Sequence, residues 1–286
     1  MINVDGYLRR LGVPDPGAPS AAALKTLLAA HVERVAYEVL DIHLGRVVPI
    51  DAAHSAERVL RGRGGYCYTL NGAFSVLLRD LGYQVEWHRS GVQHVGEDAP
   101  PGPVRANHLA LIVRGLPSDD NPSGDWLADV GLGDGLHEPL PLHPGTYTQG
   151  PFTYRLRPSE VTPGGWRFDH DPAGSFAGLD WETRIASVAD FQARHEYLST
   201  SPESGFVRTC VTQRRDATGV DSLRGCVLHR VGSDAEPRVL GTPAEWFGAL
   251  DDIFALPLTD LAPAERDQLW RRVIASHEDW LTAQSR

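Results

Sequence analysis

Lysine is almost missing from this 286-residue chain: Lys25 is the only lysine among its 27 lysine and arginine residues. A catalytic lysine Schiff base therefore has one candidate, and the Gly-Lys-Ser/Thr ending of a phosphate-binding P-loop does not occur. Acidic residues number 37 and give a formal net charge of −10. This excess of negative charge argues against nucleic acid as the main partner.

Long apolar runs are also lacking. No run approaches the roughly 18 residues of a transmembrane helix, and the opening MINVDGYLRRLGVP has no apolar signal region. We therefore expect a cytoplasmic protein with no membrane partner. The sequence leaves the oligomeric state open.

Cysteine is scarce, with Cys67, Cys210 and Cys226 only. An odd number without a signal region argues against a disulfide framework. The spacings do not fit a zinc site, and the twelve histidines contain no HExxH, so we expect no metal. Cys210 and Cys226 occur in strand-like runs and are expected in the core. Cys67 is the candidate for thiol chemistry.

Apolar residues at helical spacing give way to short β-type runs after the first third of the chain. The pattern predicts helices over residues 19–32 (Ser20 as N-cap), 52–60, 67–81, 188–199, 243–254 and 262–282. It predicts strands over residues 85–90, 107–114, 126–130, 152–157, 166–170, 206–214 and 223–230. The order is helices, then an antiparallel barrel or sandwich, then a mixed α/β tail.

Cys67 is predicted to lie in the first turn of a buried helix. A helix N-terminus offers partial positive charge and unpaired N–H groups, which favour a thiolate over a thiol. Gly64 and Gly65 precede it and lack a Cβ, so backbone or substrate can approach closely. The alternative is a small core residue without chemistry.

A cysteine nucleophile needs a base, and the base needs an orienting carboxylate. His108 lies in ANHLALIV, on the strand face opposite Leu109, Leu111 and Val113. Asp129 lies at a strand end, directly before a glycine-rich turn. A structural strand histidine and a turn aspartate are the alternatives, because spacing alone does not bring the three residues together.

Five segments resemble the arylamine N-acetyltransferase family in the same order along the chain. The segment RGRGGYCYTLNGAF resembles the family's RGGxCxxxN signature, whose cysteine accepts the acyl group. VAYEVLD resembles PFENL, NHLALIV the histidine strand, LADVGLG the DVGFG segment with the triad aspartate, and DFQARHEYLSTSPESGF the stretch after the barrel. The resemblance spans roughly residues 5–255.

This resemblance implies an α+β fold of three domains with a triad like that of cysteine proteases. Residues 1–84 would form a helical domain carrying Cys67. Residues 85–187 would form an antiparallel β barrel carrying His108 and Asp129, and residues 188–286 a bridging helix and an α/β lid.

The resemblance also implies ping-pong transfer of an acetyl group from acetyl-CoA, through a thioester on Cys67, to an arylamine or hydrazine. His108 would act as the base, and Asp129 would hold its tautomer. The expected binding residues are Tyr37, Tyr66, Gly131, Leu132, Gly133 and Phe206, although the glycines also suit a plain hairpin turn. Glu38 paired with Arg63, and Asn71, are expected to support the site.

Three positions depart from the family pattern: Val39 replaces Asn, Thr69 replaces Glu or Gln, and Leu132 replaces Phe. Leucine removes a stacking surface for an aryl ring, which leaves the amine acceptor open. An amide synthase of the same fold, using an acyl carrier protein as donor, is therefore the main alternative. Either function requires a local arginine patch. A thiol hydrolase and a catalytically silent binding protein are two further alternatives.

Overall fold

A computed structural model describes residues 1–284. The first part of the chain is helical and contains one very short strand. Its elements are α1 (Val4–Leu11), α2 (Ala21–Arg34), β1 (Tyr37–Glu38), α3 (Leu40–His43), α4 (Ala52–Leu60) and α5 (Cys67–Asp80). The three helices predicted here are confirmed, with ends shifted by up to two residues. The sequence pattern did not predict α1, α3 or β1.

Local signals in the sequence define the ends of these helices. The Ser20 side chain accepts a hydrogen bond from the Ala23 N–H at 3.2 Å, which confirms it as the N-cap of α2. Gly82 has φ +94° just after α5, a conformation that few other residues adopt. Eleven of the 14 residues of α5 are buried, so this helix is held on nearly all sides.

The middle of the chain forms eight antiparallel strands in a nearly closed barrel. These are β2 (Gln84–His94), β3 (His108–Arg114), β4 (Trp126–Leu127), β5 (Leu140–Pro141), β6 (Gly145–Gln149), β7 (Phe152–Pro158), β8 (Trp166–Asp169) and β9 (Phe176–Ile185). Their spatial order is β5-β4-β3-β2-β9-β8-β7-β6. The strand predicted over 126–130 is too long, because the chain leaves the ladder before Asp129.

Strand β3 lies between the core of the helical part and the core of the barrel. Leu109, Leu111 and Val113 pack into the helical core, whereas Ala110 and Ile112 pack into the barrel core. This confirms the predicted alternation of the strand. His108, at the start of β3, therefore lies on the barrel face, next to the junction with α5.

The last part of the chain covers one end of the barrel and the helices. Its elements are α6 (Gln192–Thr200), α7 (Gly205–Arg208), β10 (Val211–Asp216), β11 (Gly219–Arg224), β12 (Val227–Val231), β13 (Arg238–Val239), α8 (Pro243–Asp252) and α9 (Pro263–Gln284). Its sheet has the order β1-β10-β11-β12-β13, so the short strand β1 joins it from the helical part. Cys210 and Cys226 are buried in its core as predicted.

Two strand predictions in this part are wrong. Residues 206–208 of the predicted strand 206–214 are helical, because Ser204 caps α7 by accepting from the Phe206 N–H at 3.2 Å. The predicted strand 223–230 is broken in two, because Gly225 (φ +56°) makes a turn between β11 and β12.

The division into domains at residues 84/85 and 187/188 stays a prediction, and residues 285 and 286 of the third predicted domain lie outside the described residues. Strand β2 begins at Gln84, one residue before the predicted boundary. Trp270 of α9 packs on Trp246 of α8, with 6.3 Å between ring centroids. Within residues 1–284, none of the helices has the length and apolar character that crossing a membrane requires.

Candidate active site

Cys67 is the first residue of α5, directly after its N-cap Tyr66. The side chain is buried, and its thiol lies 3.6 Å from the carbonyl oxygen of Asn107. The glycine pair before it is required for this placement. A Cβ at Gly64 would lie 1.9 Å from the carbonyl oxygen of Ala36, so a larger residue would push β1 away from the start of the helix.

His108 and Asp129 form a short hydrogen-bonded pair beside this thiol. The imidazole Nε2 donates to Asp129 Oδ2 at 2.6 Å, and both side chains are buried. The thiol of Cys67 also interacts with the ring of His108. Because Nε2 faces the carboxylate, Nδ1 is the nitrogen left for the thiol. The three residues that the sequence suggested separately therefore meet at one point.

The electrostatics of the pair favour a charged imidazole. Burial by itself lowers the pKa of His108, but the adjacent Asp129 carboxylate and the contact with Cys67 outweigh it and raise the pKa to about 10. An imidazolium that persists at neutral pH stabilises a neighbouring thiolate.

Asn71, one turn after Cys67, fixes the carboxylate from the other side. Its Nδ2 donates to Asp129 Oδ1 at 2.7 Å and to the Leu109 carbonyl at 2.7 Å. Its Oδ1 accepts from the Val130 N–H at 2.9 Å. One side chain of α5 thus bonds β3, the aspartate and the following loop, which supports the predicted structural role of Asn71.

The loop after Asp129 comes so close to α5 that it requires glycine. Gly131 donates its N–H to Asp129 Oδ1 at 2.9 Å. A Cβ at Gly131 would lie 2.7 Å from Cys67 Cα. Gly133 has φ +69°, and a Cβ there would lie 2.2 Å from Gln213 Oε1. The loop is therefore packed between the nucleophile and the lid sheet.

A cleft of about 780 Å³ opens onto Cys67 and His108. Four of the predicted binding residues line it: Tyr37, Gly131, Leu132 and Phe206. Tyr66 and Gly133 lie behind its wall. The Tyr66 ring is 5.2 Å from that of Phe206, and its hydroxyl bonds His195.

Of the three departures from the family pattern, Leu132 alone lines the cleft. Val39 and Thr69 are buried elsewhere in the helical part. The aromatic surface nearest to the nucleophile therefore comes from other residues. Tyr37 and Phe206 meet edge to face with 6.4 Å between their centroids.

The predicted support pair of Arg63 and Glu38 is part of a larger ion-pair cluster that is buried except for the half-exposed Asp260. Arg63 Nη2 lies 3.7 Å from Glu38 Oε1 but 3.1 Å from Asp41, and its Nη1 is 2.8 Å from Asp260. Arg58 adds a second cation, 2.7 Å from Asp41. Because Asp260 precedes α9, the cluster joins the helical part to the lid.

Sequence reasoning missed the arginines of the cleft. Arg194, Arg208 and Arg224 all line it, and they come from α6, α7 and β11. The sequence shows that the cations are arginines but does not show which of them point to one place. Among the described residues, no group of three or more His, Cys, Asp or Glu side chains could hold a metal ion.

Known proteins with similar sequences belong to one family. The chain matches the family described as N-acetyltransferase over residues 20–262. It is 30% identical to an arylamine N-acetyltransferase of Mycolicibacterium smegmatis, over 91% of this chain and 94% of the relative.

Solved structures give the same picture. The arylamine N-acetyltransferase of Mycobacterium abscessus superposes with a TM-score of 0.81 at 28% identity, over 96% of this chain and 95% of its own. The Mycobacterium marinum arylamine N-acetyltransferase in complex with CoA superposes with a TM-score of 0.79 at 27% identity, over 95% and 98% of the two chains.

Proposed function

Because this chain belongs to the arylamine N-acetyltransferase family, we propose that it moves an acetyl group from acetyl-CoA to the nitrogen of an arylamine or hydrazine. The observation that carries the proposal is the buried pair of His108 and Asp129, 2.6 Å apart, beside Cys67 at the start of a helix. A thiol placed in this way, at the bottom of an open cleft, is suited to acyl transfer.

The first half of the reaction starts from the thiolate–imidazolium pair, in which His108 Nδ1 already holds the thiol proton, and Cys67 Sγ attacks the thioester carbonyl. The tetrahedral oxyanion would be met by backbone N–H groups in the first turn of α5, which have no intrahelical acceptor. The C–S bond to CoA then breaks, and the imidazolium returns its proton to the departing CoA sulfur. The products are a thioester on Cys67 and free CoA.

In the second half, the amine nitrogen attacks the Cys67 thioester. Neutral His108 takes a proton from that nitrogen, and the sulfur leaves to restore the thiolate–imidazolium pair. Tyr37 and Phe206 offer the ring faces and edges that an aryl acceptor would contact. Asp129 keeps Nε2 protonated throughout, so that Nδ1 does the proton transfer.

A second candidate function has one observation in its favour. Leu132 lines the cleft where the family pattern has phenylalanine, so this part of the wall is aliphatic and offers no ring for stacking. An amide synthase that takes its acyl group from a carrier-bound thioester would use the same cysteine, histidine and aspartate. The two functions differ in the donor.

The test is the intact mass of the protein after brief incubation with acetyl-CoA and no amine. We expect one added acetyl group, absent in Cys67→Ala and retained in Cys226→Ala, which removes a buried thiol of the lid core. Added arylamine should then discharge the acetyl group. If no adduct forms although Cys67 still reacts with iodoacetamide, the donor is not acetyl-CoA and the amide-synthase function is favoured.

A further inference from the structure

A small cavity, separate from the catalytic cleft, lies beside the first turn of α5. Its volume is about 20 Å³, and among the described residues its lining has no member in common with that of the cleft. A cavity needs roughly 10–15 Å³ to hold one water molecule, so this one has room for a water but not for a substrate. Val39 and Thr69 both line it. At these two positions the family pattern has Asn and Glu or Gln, so two polar groups of that pattern are replaced here by smaller or apolar ones.

His195 of α6 lines the same cavity and has a nitrogen without a partner. The residue is 2% exposed, and within residues 1–284 no atom completes a hydrogen bond to its Nε2. Buried polar atoms in folded proteins nearly always have a hydrogen-bond partner, from the protein or from ordered water. The unpartnered nitrogen therefore indicates a water site in the cavity.

The other nitrogen of this ring, Nδ1, bonds the hydroxyl of Tyr66. The two rings are stacked, with 6.1 Å between centroids and 18° between planes. Ser199, one turn further along α6, has its Oγ 3.4 Å from both Nδ1 and the Tyr66 hydroxyl oxygen. Burial raises the pKa of Tyr66 far above its usual range, so the phenol keeps its proton and donates it to Nδ1.

This bond fixes the tautomer of His195. Burial lowers the pKa of His195, against the opposing effects of the Val48 backbone and of Glu196, so the ring stays neutral. A neutral ring that accepts at Nδ1 carries its proton on Nε2. A water in the cavity can accept that proton in a hydrogen bond and donate in turn to Val48 or Thr69, which line the same cavity.

Tyr66 connects this arrangement to the catalytic cleft. Its ring lies edge to face with Phe206, 5.2 Å between centroids, and Phe206 lines the cleft. The Phe206 carbonyl is held separately, because it accepts from His43 Nε2 at 2.9 Å. The Tyr66 backbone is also held separately, because its carbonyl accepts from the Leu70 N–H at 2.9 Å. The bond to the Tyr66 hydroxyl therefore acts on the two rings and not on the start of α5.

We propose that His195, with one buried water on its Nε2, is a positioning residue for the amine acceptor. It fixes the Tyr66 hydroxyl, Tyr66 backs the ring of Phe206, and Phe206 presents that ring to an aryl substrate. The proposal rests on the proposed function and deepens its second half. Because other contacts hold the three catalytic residues, loss of His195 should weaken the capture of aryl acceptors and spare the formation of the acetyl-enzyme.

The test measures the two halves of the reaction separately on the full-length protein. Cys67 is acylated with p-nitrophenyl acetate, and the acetyl-enzyme is then discharged with increasing concentrations of aniline or of hydrazine. The variants are His195→Leu and His195→Asn, because an asparagine oxygen near the place of Nδ1 can still accept from Tyr66. His88→Leu is the control: His88 is a barrel histidine, 1% exposed, that bonds the Arg184 carbonyl at 3.2 Å and lines neither cavity.

In His195→Leu we expect the aniline concentration for half-maximal discharge to rise about three- to tenfold, the value of one aromatic contact. Hydrazine has no ring, so its discharge rate should change less than about twofold, and so should the acylation rate. His195→Asn should recover most of the loss, and His88→Leu should leave both acceptors unchanged. Equal losses with aniline and hydrazine, or no loss with aniline, would overturn the proposal. If the wild type forms no acetyl adduct, or aniline does not discharge it, the proposed function is wrong instead.

Tyr66→Phe removes only the hydroxyl and serves the same test if His195→Leu does not fold. It should reproduce the aniline loss, and His195→Leu in that background should add little, because both changes break one bond. Nitrogen NMR should show the His195 ring neutral with its proton on Nε2, identified by the signal that His195→Asn removes. A crystal structure should show one water within about 3.2 Å of Nε2. A proton on Nδ1, a direct protein partner on Nε2, or additive losses in the double variant would contradict the arrangement.

Discussion

The hydrogen bonds around Asp129 make a sharp prediction for Asp129→Asn. In the native site Oδ1 accepts from Asn71 Nδ2 at 2.7 Å and from the Gly131 N–H at 2.9 Å, while Oδ2 accepts from His108 Nε2. An asparagine has only one oxygen, and the two donors require it at the Oδ1 position. Its NH₂ group is then forced to face Nε2.

The consequence is the wrong tautomer of His108. With an NH₂ group opposite, Nε2 must become the acceptor, so the proton moves to Nδ1, which faces the thiol. A ring protonated at Nδ1 cannot accept the proton of Cys67. The carboxylate charge is lost at the same time, so burial alone acts on the ring and lowers its pKa below the ordinary value of 6.5.

Both effects can be given a magnitude. With a pKa of about 10, imidazolium outnumbers neutral imidazole by roughly 300 to 1 at pH 7.5, whereas below 6.5 fewer than about one ring in ten is charged. The tautomer error in comparable triads costs about 10⁴ in rate. We therefore expect acylation of Asp129→Asn to be about 10³- to 10⁴-fold slower than in the wild type.

The assay is single-turnover acylation by p-nitrophenyl acetate, followed across pH together with alkylation by iodoacetamide. The His108 imidazolium of the wild type is present below about pH 10 and lost above it. The rate at which iodoacetamide alkylates Cys67 should therefore stay flat from pH 7 to 9. In Asp129→Asn the rate should climb through the range where an ordinary thiol ionises, near about 8.5.

Asp134→Asn is the matched control, since Asp134 is a buried carboxylate of the same loop region that bonds Ser175 and makes no contact with the imidazole of His108. It should keep the wild-type pH profile. If Asp129→Asn retained more than a tenth of the native rate, or if both variants lost the flat profile equally, the tautomer argument would be refuted.

Three further predictions concern the support of the site. Asn71→Ala should lower the free energy of unfolding by about 1–3 kcal/mol in urea melts, because it leaves buried partners unsatisfied, and it should slow acylation. Gly131→Ala should slow acylation at least tenfold while keeping near-native circular dichroism, because its Cβ would press on the nucleophile's backbone. Arg63→Met should cost about 1.5–3 kcal/mol, since Glu38 and Asp41 keep Arg58 but lose the second of their two buried cations. Loss of the half-exposed cation in Arg46→Met should cost about 0–1 kcal/mol, and equal costs would contradict the burial argument.

The sequence predicted the elements whose signal is local and strong. The stripe of α5 ends where Gly82 takes a positive φ, and the alternation of β3 separates Leu109 from His108. It failed where a short-range contact overrides β propensity. Ser204 caps a turn of helix in a segment whose composition predicts a strand. Its side chain accepts a hydrogen bond from the Phe206 N–H, which in a strand would have needed a partner on a neighbouring strand.

Contacts between distant parts of the chain were the hardest to predict. The resemblance paired Arg63 with Glu38, yet the nearer partners are Asp41 and Asp260, and the latter is 197 positions away. The sequence shows which side chains are charged. The direction in which each one points is set by the packing of the lid against the rest of the chain. The same reason hid the cleft arginines Arg194, Arg208 and Arg224, which converge from two helices and a strand.

The catalytic residues and three arginines of the cleft come from different parts of the chain. Cys67, His108 and Asp129 are fixed by α5, β3 and the loop that Asn71 bonds, and none of these elements belongs to the lid. Arg194, Arg208 and Arg224, by contrast, all belong to the last hundred residues. Loss of these arginines should therefore slow acylation by an anionic thioester more than acylation by a small neutral ester, and leave the intrinsic reactivity of Cys67 intact. A lid variant that lost ester acylation and thioester acylation in equal measure would show that the lid shapes the nucleophile as well.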